Sequence, residues 1–136
     1  MLVLESLIAK RLRELGAFAG WQVREGCHDT SRVTVPAVDV RMGAAAVTQV
    51  RKPAVSLQPE WAVTAVVRRS DQAAQQLDAA LTAVIGNLHN WRPSGIPARS
   101  WTELQVARVQ PMDFVDVALV GYEITFTTVA VFDGQP

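Results

Sequence analysis

The sequence predicts an α+β (mixed α/β) fold in which one twisted, mainly antiparallel mixed β-sheet packs against two α-helices. Two segments carry apolar residues at the three- and four-residue spacing of amphipathic helices. Other segments alternate apolar and polar side chains with the period of two that is typical of strands. Because 136 residues is the size of one ordinary domain, we expect residues 1–136 to form a single domain.

The first predicted helix begins near the N-terminus and ends before Gly16 and Gly20. Its apolar stripe consists of Leu4, Leu7, Ile8, Leu12 and Leu15. Residues 21–24 then fit a short strand, and residues 25–32 are polar enough to form a turn. The chain therefore opens with a helix that leads into the first strand.

The middle of the chain predicts two strands joined by a long excursion. Residues 33–42 alternate like a strand, and residues 60–69 are apolar on both faces apart from Thr64. The latter pattern is typical of a central strand covered on both sides. Between them, residues 43–59 contain Pro53 and Pro59 and are too long for a simple turn. We interpret residues 43–59 as a projecting arm or β-hairpin.

The second helix is predicted over residues 72–88, with Ser70 or Asp71 as its N-cap. A tract rich in Pro, Gly and Trp follows and leads into a strand over residues 103–110, so that strand, helix and strand suggest a crossover unit. Residues 114–132 are strongly β-prone. The polar end, residues 133–136, is predicted to fray.

The composition excludes several classes of protein. Thirteen basic and thirteen acidic residues cancel, which argues against a general nucleic-acid binder, since that affinity depends on excess cations. The single cysteine, Cys27, excludes an intrachain disulfide framework and suits a reducing cytoplasm. The N-terminus has no signal-peptide pattern, and the chain has no run of about 18 apolar residues. A membrane partner is therefore not expected.

Few residues are candidates for catalysis or metal binding. Cys27, His28 and Asp29 are adjacent, and neighbours along a chain rarely aim their side chains at one another, so a polar turn is preferred to a catalytic set. His28 and His89 offer no zinc-ligand spacing. Asp113 and Asp116 flank a turn as solvated carboxylates. We therefore predict a protein that is not an enzyme and that has no catalytic residues, cofactor or metal.

Several segments, taken in order, resemble a known family. They are the basic helix LESLIAKRLREL, the central strand EWAVTAVVRRSD, the helix QLDAALTAVIGNL, the turn Asn90-Trp91-Arg92-Pro93 and the closing strand GYEITF. This order resembles the tail terminator proteins of long-tailed bacteriophages, which include the minor tail protein U group and related prophage tail completion proteins. The resemblance covers residues 4–132.

The resemblance implies a virion structural protein that forms a homohexameric ring. In that family the ring caps the last ring of tail tube protein, stops tube polymerisation and offers its other face to a head completion or neck protein. It implies a place at the head-proximal end of the virion tail after assembly in the bacterial host cytoplasm. DNA would pass through the ring lumen without specific binding.

Two segments supply the candidate interface residues. In the predicted arm these are Val47, Val50, Arg51 and Lys52, which we expect to contact a neighbouring subunit or the tube. Val55 and Leu57 are expected to be exposed beside them, and exposed apolar surface favours assembly. In the Trp-rich tract the candidates are Trp91 and Arg92. For Arg51 and Lys52 the competing interpretation is a solvated loop.

Three other functions compete with the terminator hypothesis. One is another phage neck or tail completion protein. A second is a monomeric or dimeric non-enzymatic binding module whose pocket rim carries Trp91 and Trp101. A small hydrolase is the least supported, because no catalytic constellation is seen. The oligomeric mass separates a ring from a monomeric module.

Overall fold

The computed structural model of the chain describes residues 2–26, 35–94 and 100–136. Within these ranges the chain forms two α-helices, one short 3-10 helix and a single sheet of seven strands. The elements in order are α1 (Leu2–Arg13), the 3-10 helix (Gly16–Phe18), β1 (Gln22–Glu25), β2 (Ala37–Arg51), β3 (Ala54–Arg68), α2 (Ala73–Leu88), β4 (Ser100–Trp101), β5 (Gln105–Met112), β6 (Leu119–Thr127) and β7 (Ala130–Asp133).

The sheet has the order β1-β2-β3-β6-β5, while β7 pairs with the distal part of β3 and β4 pairs with β7. β1 is parallel to β2, and the other pairs are antiparallel. β3 and β5 are both antiparallel to β6 and therefore run in the same direction. They form the expected crossover through α2, with β6 inserted between them. The predicted fold class is confirmed: a mainly antiparallel mixed sheet packs against two helices.

Both helices lie on one face of the sheet, which we call the helix face. α1 packs on β1 and β2, and α2 packs on β3 and β6. The core between them includes the fully buried side chains of Leu4, Ile8, Leu12, Val40, Trp61, Val63, Val84, Leu88, Ile124 and Phe126. Apolar positions at helical spacing on α1 and α2 therefore meet apolar positions at alternate spacing on the strands.

The opposite face of the sheet carries polar side chains, and we call it the polar face. One cross-strand row on it consists of Arg24, Asp39, Thr64, Glu123 and Gln110. The Arg24 guanidinium donates two hydrogen bonds to the Asp39 carboxylate, at 2.6 and 3.0 Å. β3 is central, as predicted, and its middle is buried on both faces, with Val63 and Ala65 on the helix face and Thr64 and Val66 on the polar face. Ala62, nearer the hairpin end of the polar face, is only half-buried.

A buried carboxylate attaches α1 to the sheet. Glu5 is 2% exposed, and its Oε2 accepts a hydrogen bond from the backbone N–H of Met42 at 2.9 Å. β1 accompanies β2 only as far as Val40, so Glu5 binds β2 just beyond the end of its first neighbour. The helix thereby supplies a hydrogen-bond acceptor where β1 no longer runs beside β2.

Glu5→Ala is expected to lower the free energy of unfolding by about 1–3 kcal/mol, because it removes a carboxylate acceptor from a partly buried backbone N–H. Chemical denaturation with the circular dichroism of the protein as signal would measure the loss. Glu5→Gln keeps a carbonyl oxygen at the same reach and should lose less. If Glu5→Ala unfolds at the same denaturant concentration as the wild type, this bond does not stabilise the fold.

Residues 43–59 form the distal half of the β2–β3 hairpin, whose strands are 15 residues each. β7 accompanies this half on one side, since Ala54 to Leu57 pair with Asp133 to Ala130. Val55 and Leu57 are consequently half-buried, and the prediction that they are exposed is wrong. The predicted fraying of residues 133–136 is also wrong at its start: Asp133 lies in β7, and the Gly134 N–H donates to the Pro53 carbonyl at 2.8 Å.

Candidate functional site

Two exposed segments lie at opposite ends of the long strand β3. The hairpin tip, residues 47–53, connects β2 to the start of β3. The β5–β6 loop, residues 113–118, lies at the other end, where the Arg69 N–H donates to the Ala118 carbonyl at 2.7 Å. At roughly 3.3 Å per residue, the 15 residues of β3 separate these two segments by about 45 Å. The molecule therefore presents two different ends.

The hairpin tip gathers four of the six predicted interface residues. Val47 and Val50 are 60% and 66% exposed, and Arg51 and Lys52 are also exposed. The Arg51 guanidinium nitrogens lie 2.9 and 3.0 Å from the Gln49 amide oxygen once that amide is oriented to accept. The ladder of backbone pairs and the bond from Gly134 hold this tip as an ordered ribbon. It offers apolar surface beside two cations.

The β5–β6 loop carries a second exposed apolar pair. Val115 is fully exposed, and Val117 is 81% exposed. The Asp116 Oδ1 accepts from the Ala118 N–H at 2.9 Å, and Arg69 Nε donates to the Val117 carbonyl at 2.7 Å. These bonds order a loop whose valines face solvent. The sequence analysis placed Asp113 and Asp116 at a turn but assigned residues 114–118 to a strand, so it missed the exposure of Val115 and Val117.

Trp91 and Arg92 lie apart from the hairpin tip, directly after α2. Trp91 is half-buried beneath the Arg11 guanidinium, which lies 4.7 Å from the ring centroid. Arg11 Nε also donates to the Asn87 carbonyl at 2.9 Å. The Trp91 carbonyl accepts from the Leu104 N–H at 2.9 Å. The contacts of Trp91 thus hold α1 against the end of α2. The next residue, Arg92, is exposed.

Trp101 is buried, so it does not form a pocket rim. It is 5% exposed, and its ring lies 6.1 Å from that of Trp61 and 6.3 Å from that of Phe132. These distances are typical of aromatic packing in a core. The expectation that Trp101 would line a binding site beside Trp91 is therefore wrong.

Residues considered for catalysis or metal binding find no support in the described ranges. Cys27, His28 and Asp29 lie outside them. His89 Nδ1 accepts from the Val106 N–H at 3.1 Å, which gives it a role in holding β5. Within residues 2–26, 35–94 and 100–136, no three His, Cys, Asp or Glu residues are grouped to hold a metal. Across the same residues, neither helix has the length and apolar character needed to cross a bilayer.

The polar face holds a shallow depression of about 430 Å³. Ala62 and Thr125 are paired at its floor, and Arg41 and Arg108 stand on the strands at either side. Glu60 and Glu123 add opposite charge to its lining. Mixed charges around an open floor suit contact with another polar surface better than enclosure of a small molecule. The sequence interpretation did not single out these residues.

Comparison with known proteins identifies a solved structure that shares this fold. No known protein family matches the chain, and no curated protein matches it. Its structure is similar to a chain in a solved structure described as the virion of a native gene transfer agent (GTA) particle, with a TM-score of 0.70. The two chains are 15% identical, and the match covers 95% of each. A likeness at this identity shows a shared fold.

Proposed function

We propose that this protein is a phage-type virion structural protein that acts by assembly, and that it forms the hexameric ring of a tail terminator. The observation that carries the proposal is the likeness over 95% of both chains to a component of a virion particle. The more specific role, that of a tail terminator ring, is inferred from the sequence resemblance to that family. The ring would cap the tail tube, stop its growth and join the tail to the head.

The two ends of the subunit support a role between two partners. Six copies arranged round an axis along β3 would present all hairpin tips on one face of the ring and all β5–β6 loops on the other. Each face would then carry exposed valines, Val47 and Val50 on one and Val115 and Val117 on the other. Exposed apolar side chains held in ordered segments mark interaction surfaces.

We assign the hairpin tip to the tail tube protein and the β5–β6 loop to a head completion or neck protein. The tip carries the cations Arg51 and Lys52, which would meet acidic groups on the tube end. The loop carries Asp113 and Asp116 and would meet a surface of opposite charge. Both contacts act through area and complementarity, without covalent chemistry. This function places the protein in the virion, at the head-proximal end of the tail.

The ring predicts a defined mass in solution. Native mass spectrometry and sedimentation velocity of the purified chain are expected to show six copies, and electron microscopy should show rings with a central opening. Added to polymerising tail tube protein, the protein should stop growth at the tube end. A chain that stays monomeric at high concentration and also leaves tube growth unchanged would overturn the proposal.

Another neck or completion protein of the same kind of particle would share the two-ended geometry. Binding to the tube end separates the two roles. A terminator binds the end of a growing tube directly, whereas a neck protein binds only after the tube is capped. Co-sedimentation with uncapped tubes therefore decides between them.

A further inference from the structure

We infer that the partner bound at the β5–β6 loop places an apolar segment, with a lysine or arginine in it, into a groove between α2 and β6. The inference rests on the proposed function, in which this partner is a head completion or neck protein. It adds the site on this chain and the chemistry of the segment that fills it. The groove, which we call the α2 groove, has a volume of about 330 Å³.

Small side chains at the start of α2 form one wall of the α2 groove. Ala73 and Leu77 line it and are buried against the sheet, whereas Ala74 lines it and is exposed. Asp78 lies one turn beyond Ala74 on the same side of the helix and is also exposed. Because two alanines stand where longer side chains would cover the sheet, the groove stays open to a partner.

The other wall is apolar sheet surface that α2 leaves uncovered. Val120 and Tyr122 lie on the helix face by alternation with the buried Ile124, yet both are only half-buried. On the edge strand, Pro111 pairs with Tyr122 and Val109 pairs with Ile124, so both share this face, and both are exposed. An apolar strip with a tyrosine in it is typical of a surface that binds another protein.

The α2 groove is continuous with the β5–β6 loop. Arg69 lines the groove, and its backbone N–H donates to the Ala118 carbonyl at 2.7 Å. Its Nε donates to the Val117 carbonyl, also at 2.7 Å. The exposed side chain of Val117 therefore lies beside the end of the groove. A partner that contacts this loop reaches the groove as well, at the end of the subunit opposite the hairpin tip.

The charge beside the α2 groove is mainly acidic. Asp78 lines it, Asp71 follows the lining residue Ser70, and Asp116 lies in the adjoining loop; all three aspartates are exposed. Arg69 is the cation of the lining, and its Nε already bonds the loop. A lysine or arginine of the partner fits this site, because its apolar stem can pack on the sheet wall while its charge meets Asp78.

Ala74→Arg tests the α2 groove by placing a long cation where the partner's segment would lie. Expressed in place of the wild type, it is expected to give tails of normal length, of which about tenfold fewer are joined to heads in electron micrographs. Normal length shows that the tube contact is intact. Ala79→Arg makes the same substitution at an exposed position of α2 outside the groove lining and should join heads like the wild type.

Asp78→Lys tests the charge of the groove and should also reduce joining, whereas Asp78→Glu keeps the charge and should not. Melting temperatures close to that of the wild type would show that these variants fold. If Ala74→Arg and Asp78→Lys both give joined particles in wild-type numbers, the groove is not the site and the terminator role stands. Loss of the ring in Ala74→Arg, seen by sedimentation velocity, would overturn the inference by assigning the groove to a neighbouring copy. A wild-type chain that neither forms rings nor caps tubes would overturn the proposed function itself.

Discussion

Val63→Asp is expected to abolish stable folding. Val63 is fully buried in the central strand, paired with Val40 on one side and Ile124 on the other. An unpaired carboxylate at this place costs several kcal/mol, which is comparable to the whole stability of an ordinary domain, about 5–15 kcal/mol. Soluble yield and thermal melting followed by circular dichroism would measure the loss.

Val115→Asp is the matched control, because it makes the same substitution at a fully exposed valine and should melt like the wild type. Val66→Asp tests the other face of β3. Val66 is 3% exposed and is paired with Ala37 and Gly121, so we expect it to destabilise the protein as well. If Val63→Asp and Val66→Asp both melt normally, β3 is not the central strand.

The helices and the central strand were predictable because their signals are local. The stripe of Leu77, Ala80, Val84 and Leu88 repeats within α2 itself, and all four side chains are buried. The apolar run of β3 likewise reports a strand with neighbours on both edges. Burial of one helical stripe or of one strand face can be read from a short window of sequence, without knowledge of what lies against it.

Contacts between distant segments could not be predicted in the same way. β7 pairs with β3 across more than seventy residues, and neither segment alone indicates the register that half-buries Val55 and Leu57. Trp101 was assigned to a loop, yet its pairing with Ala130 in β7 carries it into the core beside Trp61. Such pairings depend on register between strands, which a single sequence does not encode locally.

The same distinction decides which of the predicted interface residues lie together. Val47, Val50, Arg51 and Lys52 share one hairpin tip because they are close in sequence. Trp91 was a candidate from the separate Trp-rich tract, but the Arg11 guanidinium covers its ring, a contact across eighty residues. The β5–β6 loop was missed because exposure of its valines depends on Arg69 holding the loop from the end of β3.

Shortening the hairpin is not a clean test of its tip, because residues 54–57 are the partners of β7 and their loss would disturb the core around Trp101. Point substitutions avoid this problem. Arg51→Glu together with Lys52→Glu changes only exposed side chains, so the melting temperature should stay nearly unchanged. The same double change is expected to abolish capping of the tail tube.

The size of this effect follows from symmetry. One exposed ion pair contributes about 0.5–1 kcal/mol, which alone would pass unnoticed. In the proposed hexameric ring both cations would be repeated six times on one rigid body, so the separate losses would add to several kcal/mol of binding. The variant, expressed in place of the wild type, should give overlong or headless tails in electron micrographs. Arg51→Lys with Lys52→Arg keeps both charges and should give tails of normal length. If the double glutamate variant also yields normal tails joined to heads, the tip is a solvated loop and the tube contact lies elsewhere on the ring.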